Sequence, residues 1–216
     1  MTRPRIFLDL DGVLVDWHAG AAKLHGISLP VFGEPYPLEV NDFTDLTPEQ
    51  FYAGMDRNFW AELPPLPHAR TLVDMAEDYF GADVAILTKP ILTEGCSDGK
   101  RAWVAEHLGS QYLRKVFIAS DKHFCASPLS LLIDDKSKTC DEFVDYGGHA
   151  YLFPASWNER CGTNWDTVRA ELHEVFGELS KYRRVRDGVT QGLGKEVWRG
   201  KEISLPHTVR HTEAED

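Results

Sequence analysis

Five short apolar segments with helical patterns between them constrain the fold more than any other feature of the sequence. The segments are 5–11, 83–88, 115–120, 129–134 and 149–153. Helical patterns follow the second, fourth and fifth of them, at 100–108, 137–146 and 165–179. Strands that alternate with helices predict βαβ units and a mostly parallel sheet with both faces covered. The sequence therefore predicts a three-layer, Rossmann-like α/β fold.

The distance between the first two segments indicates an inserted subdomain. From Asp11 to Thr88 the chain runs 77 residues, whereas a plain βαβ crossover takes about 30 residues. Thr47, Pro48 and Gln50 predict a helix start inside this stretch, with Thr47 as N-cap and Pro48 as the first helical residue. We predict a catalytic core over 1–16 and 76–180, a small helical cap over 17–75, and a C-terminal extension over 181–216 that is loosely packed or partly disordered.

The charge distribution argues against a general nucleic-acid binder. The chain holds 23 basic and 34 acidic residues, of which 8 and 6 lie in 181–216, so residues 1–180 hold 15 and 28. A body this acidic lacks the basic face that long nucleic acid requires, although a metal ion and a few lysines can reverse the sign locally for a small anion. No apolar run is long enough to cross a bilayer and the first residues lack a signal-peptide shape, so we expect no membrane contact and a cytoplasmic location.

The segment FLDLDGVL at 7–14 is the strongest chemical signal in the sequence. Asp9 and Asp11 stand one residue apart at a strand end, and Gly12 allows the chain to turn directly after them. Two carboxylates in this arrangement can bind a divalent metal and supply a nucleophile at one compact site. The alternative interpretation is a strand-end turn with solvated carboxylates.

Further candidate residues follow other predicted strands, at the carboxyl ends where ligands gather in open α/β sheets. Thr88 ends the second strand, and Asp134 and Asp135 end the fourth. Two adjacent carboxylates after a buried strand are costly without a cation, so this pair indicates metal binding. An N-cap for the helix that starts near Ser137 is the alternative role for Asp134.

The segment around Asp9 and Asp11 resembles the first motif of the haloacid dehalogenase superfamily of phosphohydrolases, and the other motifs follow in the order of that family. The resemblance implies that Asp9 attacks phosphorus, that Asp11 protonates the leaving oxygen and that the Thr88 hydroxyl binds a phosphate oxygen. It also implies a Mg²⁺ cofactor. Its ligands would be Asp9, the backbone carbonyl of Asp11, and Asp135, with Asp134 as a further ligand or as support.

Two lysines compete for the role of the third motif, the cation that neutralises nucleophile and phosphate. Lys122 precedes the fourth predicted strand, and Lys100 opens the helical pattern after Thr88. A single lysine is usually a solvated surface residue, so its position relative to the other motifs carries the assignment. We favour Lys122 as the catalytic lysine and keep Lys100 as a rival or an auxiliary substrate-binding residue.

Several further strings are similar to the 5′(3′)-deoxyribonucleotidase branch of this superfamily. They are LTKP at 87–90, SDK at 120–122, LLIDD at 131–135, YLF at 151–153 and NFW at 58–60. The resemblance spans about residues 5–158 and implies that Trp17, Phe59 and Trp60 form an aromatic wall beside the phosphate, although these side chains could equally form the core of the cap. Lys89 and Ser120 depart from the pattern of the branch, which leaves base and sugar selectivity open.

The sequence as a whole predicts a Mg²⁺-dependent phosphomonoesterase that acts on (deoxy)nucleoside monophosphates through a phosphoaspartate intermediate. Trp17, Phe59, Trp60, Lys89 and Lys100 are its predicted substrate-binding residues. The alternatives are a phosphatase for nucleic-acid ends or another small phosphate ester, and a non-catalytic binding protein on the same fold. The acidic body counts against long nucleic acid, and a homodimer is left open.

Overall fold

A parallel β-sheet forms the centre of the structure, a computed structural model that describes residues 3–29, 34–35, 44–181 and 197–198. Its strand order is β3-β2-β1-β4-β5-β6, with every pair parallel. The strands are β1 (Arg5–Leu8), β2 (Val84–Thr88), β3 (Val116–Ile118), β4 (Ser130–Asp134), β5 (His149–Leu152) and β6 (Val197–Trp198). Each of the five predicted strands is present, so the predicted parallel sheet is confirmed.

Helices pack on both faces of this sheet and in the insertion after β1. They are α1 (Trp17–His25), α2 (Pro48–Tyr52), α3 (Arg57–Ala61), α4 (Ala69–Phe80), α5 (Cys96–His107), α6 (Ser137–Asp145) and α7 (Trp165–Lys181). Ile6 and Leu8 pack in one apolar cluster with Phe176 of α7, whereas Phe7 packs with Phe143 of α6 in a second cluster. Successive residues of β1 thus face opposite layers, which confirms the three-layer α/β fold.

Among the described residues between β1 and β2, four α-helices are present. The last of them, α4, contacts β1, β2 and α7, so it forms part of a layer on the sheet. We call the other three, α1, α2 and α3, the cap helices. The predicted start of α2 is confirmed, because Thr47 and Gln50 form a capping box around Pro48. The boundaries of a separate cap over 17–75 and of the core stay a prediction.

The α3 helix lies unusually close to α5. A Cβ added to Gly99 of α5 would lie 2.4 Å from the carbonyl oxygen of Arg57 and 2.5 Å from the Cβ of Trp60. Glycine at this position therefore allows the two helices to touch, and the contact holds Trp60 against the body of the protein.

The C-terminal extension predicted over 181–216 lies outside the described residues, except for Lys181 at the end of α7 and the strand β6. The backbone of β6 pairs with β5, with Ala150 opposite Val197 and Tyr151 opposite Trp198. Among the helices that the structure describes, none combines the length and the apolar character needed to cross a membrane.

Candidate active site

Three buried carboxylates meet where the two central strands end. Asp9 directly follows β1, Asp134 is the last residue of β4 and Asp135 comes next. These residues lie close together because β1 and β4 are hydrogen-bonded neighbours, with Leu8 opposite Ile133. Asp9 is 6% exposed, Asp134 0% and Asp135 1%. One carboxylate oxygen from each residue lies within 4.8 Å of the others. The sheet topology alone therefore brings together three of the four predicted metal-binding carboxylates.

The turn after β1 brings the chain against this cluster. Gly12 has a φ of +80°, a conformation that L-residues with a side chain rarely adopt. A Cβ there would also lie 2.6 Å from Oδ2 of Asp135 and 2.9 Å from the Trp157 ring. Glycine is thus required both by the backbone conformation and by the close approach of the two strand-end loops.

Lys122 neutralises one side of the carboxylate cluster. It begins a short 3-10 turn at Lys122–Cys125, and its ammonium lies 2.7 Å from Oδ1 of Asp9 and 2.6 Å from Oδ2 of Asp134. Burial alone would lower the pKa of Lys122, but the charges of Asp134 and Asp9 outweigh burial and raise it above its ordinary value. Lys122 is therefore a fixed positive charge beside the predicted nucleophile.

Lys100 occupies a separate place on the other side of the turn. It is 1% exposed, forms an ion pair with Asp11, and donates to the Thr88 hydroxyl at 3.0 Å and to the Lys89 carbonyl at 2.6 Å. Thr88 itself is fully buried. The two lysines that competed for one role in the sequence thus hold different aspartates, Lys122 the first of the motif and Lys100 the second.

The cluster carries more negative charge than Lys122, the lysine in direct contact with it, can neutralise. Burial raises the pKa of Asp134, and burial together with the nearby charges of Asp134 and Asp9 raises that of Asp135 well above its usual range. Lys122 touches Asp9 and Asp134 but forms no ion pair with Asp135. Within the described part of the chain, Oδ1 of Asp135 is buried and has no hydrogen-bond partner.

These observations fit a hard divalent cation. Carboxylate oxygens are the ligands that Mg²⁺ prefers, and a cation would satisfy Oδ1 of Asp135 and offset the excess charge. Asp134 also accepts a hydrogen bond at 2.9 Å from the backbone N–H of Lys136, the N-cap residue of α6. The side chain of Asp11 lies apart from the group of three, held by Lys100, so the predicted metal contact of Asp11 rests on its backbone carbonyl.

A cavity of about 230 Å³ opens over the carboxylates. Its wall includes Trp17 and His18 of α1, Tyr52 of α2, and Lys89 before α5. Among the described residues that line this cavity, neither Phe59 nor Trp60 occurs. Trp60 is 1% exposed, and its indole donates to the carbonyl of Met55 at 3.0 Å. The structure therefore brings Trp17 and Lys89 to the cavity and places Trp60 in the core, beneath the ammonium of Lys100.

Sequence reasoning missed several side chains at this site. The Trp157 indole donates to Oδ2 of Asp135 at 2.7 Å and stacks on His18 at 3.8 Å between ring centroids. Tyr52, Lys136 and His18 line the cavity. The available signal was the position of Trp157, which follows the fifth strand at the same edge of the sheet as the carboxylates.

Comparisons with known proteins return nucleotidases. Over 148 residues the chain is 32% identical to the human protein named 5′(3′)-deoxyribonucleotidase, cytosolic type, a match that covers 61% of this chain and 70% of that protein. The mitochondrial 5′(3′)-deoxyribonucleotidases are 28% identical over 146 residues, and the match covers 61% of this chain and 62% of the human or 64% of the mouse protein. The chain thus spans less than two thirds of the mitochondrial relatives.

Family models and solved structures were compared as well. No protein-family model matches the chain. A haloacid dehalogenase-like family hydrolase from Streptococcus pneumoniae aligns with a TM-score of 0.49 and 15% sequence identity, covering 81% of this chain and 98% of that chain.

Proposed function

This chain belongs to the 5′(3′)-deoxyribonucleotidase family, and from that premise we propose that it is a Mg²⁺-dependent phosphomonoesterase acting on deoxynucleoside monophosphates. The observation that carries the proposal is the cluster of Asp9, Asp134 and Asp135 beneath the cavity, with Lys122 bound to the first two. A cytoplasmic location is part of the proposal, since one relative is named the cytosolic type.

Asp9 is the proposed nucleophile. Its Oδ1 already accepts from the backbone N–H of Leu10 at 2.7 Å and from Lys122 at 2.7 Å, so we assign the attack on phosphorus to Oδ2. As the Oδ2–P bond forms, the bond between phosphorus and the ester oxygen breaks, which leaves a phosphoaspartate and releases the nucleoside. Two fixed donors on Oδ1 hold the carboxylate in one orientation for this step.

Asp11 is the proposed acid and base. Lys100 holds its Oδ2, whereas its Oδ1 is buried without a hydrogen-bond partner among the described residues. We place the transferred proton on Oδ1, from which it passes to the leaving oxygen. In the second step Asp11 takes a proton from water as the water attacks phosphorus, and the release of phosphate regenerates the carboxylate of Asp9.

The metal completes the site. Asp9, Asp134 and Asp135 would hold Mg²⁺, with the backbone carbonyl of Asp11 as a further ligand. Bound there, the ion supplies positive charge that offsets the repulsion between the phosphate and the carboxylates. Lys122 contributes a second positive charge on the side of Asp9, and Thr88 with Lys100 fixes Asp11 on the other side.

The cavity supports a nucleotide as substrate. Its aromatic side chains, Trp17 and Tyr52, lie on the cap helices, while the carboxylates and Lys122 lie at the strand ends. A phosphate at the strand ends therefore leaves the nucleoside near aromatic faces, which stack on any base. Lys89, which also lines the cavity, would contribute a positive charge to substrate binding.

A phosphate-release screen tests the proposal. Purified protein is assayed with 5′- and 3′-nucleoside monophosphates in the ribose and deoxyribose series, glucose 6-phosphate, 5′-phosphorylated oligonucleotides and a generic aryl phosphate, each with Mg²⁺ and with a chelator. We expect Mg²⁺-dependent release that is highest with deoxynucleoside monophosphates. Preference for oligonucleotide ends or sugar phosphates would contradict the substrate assignment, and release that persists in chelator would contradict the metal assignment.

The variant Asp9→Asn is the matched control for the chemistry. It keeps the shape of the side chain but removes the nucleophile and one metal ligand, so we expect turnover to fall by at least about a thousandfold while the melting curve stays cooperative. Near-normal turnover in folded Asp9→Asn protein would exclude the phosphoaspartate mechanism.

A further inference from the structure

We propose that Trp157 is a positioning residue for the metal-binding carboxylate of Asp135, and that its stack on His18 couples this carboxylate to the cap helix α1. The inference rests on the proposed function, because it treats Asp135 as a ligand of Mg²⁺. It adds a residue that lies outside the aspartate and lysine motifs and that follows a different strand, β5.

The hydrogen bond between Trp157 and Asp135 sorts the two carboxylate oxygens. The indole N–H lies 2.7 Å from Oδ2, and an indole can only donate, so it can serve a carboxylate without competing as a metal ligand. Oδ1 is the oxygen that stays buried without a partner among the described residues. Trp157 therefore fixes the rotation of the carboxylate and leaves Oδ1 for the cation.

The residue next to Trp157 fixes the backbone of the same aspartate. The side-chain amide of Asn158 donates to the carbonyl of Asp135 at 2.8 Å and to the carbonyl of Phe153 at 2.8 Å. Trp157 and Asn158 thus hold the side chain and the main chain of Asp135 from one short loop. A carboxylate fixed at both ends needs little reorganisation to bind a metal.

The indole N–H of Trp157 binds Asp135 at the ring edge, and one face of the same ring packs against the cap helix α1. His18 of α1 stacks on it with ring centroids 3.8 Å apart and an interplanar angle of 24°. His18 is 4% exposed and lines the cavity above the carboxylates, and both rings also line a neighbouring cavity of about 230 Å³ behind Gly12. His18 therefore borders both cavities, whereas Trp157 borders the second, and a shift of α1 would move the indole that orients Asp135.

The experiment measures Mg²⁺ binding by calorimetry, in the absence of substrate, on the purified protein. Trp157→Phe keeps an aromatic ring for His18 but removes the N–H donor. We expect its Mg²⁺ affinity to fall by about 10- to 100-fold, the usual effect of losing a hydrogen bond to a metal ligand. Trp165→Phe is the matched control, because Trp165 stacks on His68 and is bonded to no carboxylate of the site; its affinity should equal that of the wild type.

The coupling to the cap has its own test. His18→Leu removes the stacked ring but leaves the indole donor in place, so we expect a smaller loss of Mg²⁺ affinity. In the double variant with Trp157→Phe the replacement of His18 should add nothing, because the hydrogen bond through which it acts is gone. Fully additive losses would overturn the coupling between α1 and Asp135.

The possible failures are distinguishable. A wild-type protein that binds no Mg²⁺ would overturn the proposed metal dependence itself. If the wild type binds Mg²⁺ and a folded Trp157→Phe protein binds it equally tightly, only the role of Trp157 is overturned. If Trp157→Phe does not fold, Trp157→His keeps a ring N–H and should bind Mg²⁺ more tightly than Trp157→Leu; equal affinities of these two would also overturn the proposal.

Discussion

The strand ends and the cap helices border the same cavity, but their side chains are placed by different rules. At the strand ends, Asp9 and Asp134 come together because β1 and β4 are neighbours in register, which follows from the topology of the sheet. Lys122 then contacts these two carboxylates, and Lys100, from a separate element, contacts the neighbouring Asp11. The chemistry of this region is therefore set by the backbone.

In the cap helices the packing of each helix determines whether its aromatic side chains line the cavity. The α1 helix brings Trp17 and His18 to the cavity, whereas the α3 helix buries Trp60 against α5 at Gly99. Two tryptophans that look equivalent in the sequence thus have different surroundings. Residues at strand ends can therefore be assigned to a site from topology, while aromatic residues in short helices require the packing to be known.

Within this comparison, the largest expected effect separates the two lysines that contact the strand-end aspartates. Lys122→Met leaves Asp9 without its cation, so we expect turnover to fall by about 10²- to 10³-fold. Lys100→Met leaves Asp9 and Lys122 in place and should cost less, mainly through the orientation of Asp11 and Thr88. Steady-state kinetics with a nucleoside monophosphate in saturating Mg²⁺ measures both.

A surface lysine provides the control for these replacements. Lys138 has an 89% exposed side chain that forms an ion pair with Glu142 at 3.8 Å, so Lys138→Met should be kinetically silent. If Lys100→Met proved more damaging to turnover than Lys122→Met, the assignment of Lys122 as the catalytic cation would be wrong.

The second prediction concerns the two tryptophans of the cap helices and uses the same replacement at both. Trp17→Leu removes an aromatic face from the cavity, so the preference for a nucleotide over glucose 6-phosphate, which cannot stack, should fall by about 1–3 kcal/mol, or roughly 5- to 150-fold in relative kcat/KM. Trp60→Leu should leave that ratio unchanged, because Trp60 does not line the cavity.

For the free energy of unfolding the order of the two variants should be reversed, with Trp60→Leu the more affected. Trp60→Leu removes a core side chain and its hydrogen bond to the Met55 carbonyl, so the free energy of unfolding should fall by about 1–3 kcal/mol. Denaturant titrations of both variants measure this. A Trp60→Leu protein of normal stability that had lost nucleotide preference would restore the stacking role that the sequence suggested for Trp60.

The parts of the site that the sequence predicted are those fixed by buried strands. The strands could be located because a buried parallel strand is a short apolar run, and the residue that follows it must lie at one edge of the sheet. This reasoning placed Asp9, Thr88, Asp134 and Asp135 at one edge of the sheet without any knowledge of packing. It also found the helix that carries Lys100, although α5 begins at Cys96, so Lys100 lies one turn inside the helix instead of at its start.

The parts that could not be predicted depend on contacts between loops or on short helices. The α3 helix has five residues, Arg57–Ala61, too few for an apolar period to show which side is buried. Trp157 lies in a loop whose path no periodicity describes, and its hydrogen bond to Asp135 exists only once β4 and β5 are side by side. His18 and Tyr52, which line the cavity from the cap helices, were therefore beyond the reach of pattern analysis.

The smallest expected effect lies at the junction between the turn after β1 and the helical layers of the sheet, which His68 forms. Its ring is 3.1 Å from the Val13 carbonyl and stacks on Trp165, and burial lowers its pKa from 6.5, with the Val13 hydrogen bond acting in the opposite direction. The unfolded chain therefore binds a proton more readily than the folded one. The contribution of His68 to stability is complete above about pH 6.5 and is lost as the pH falls toward the pKa of the folded state.

The variant His68→Gln isolates this effect, because an amide can still donate to the Val13 carbonyl but does not titrate in this range. Between pH 7 and pH 5, urea titrations should show the wild type losing stability relative to His68→Gln, with a slope of at most about 1.4 kcal/mol per pH unit for one proton. His149, whose pKa is also lowered by burial, titrates in both proteins and cancels in the difference. Parallel stability curves would show that His68 is hydrated in solution and that the junction is less tightly packed than the strand ends.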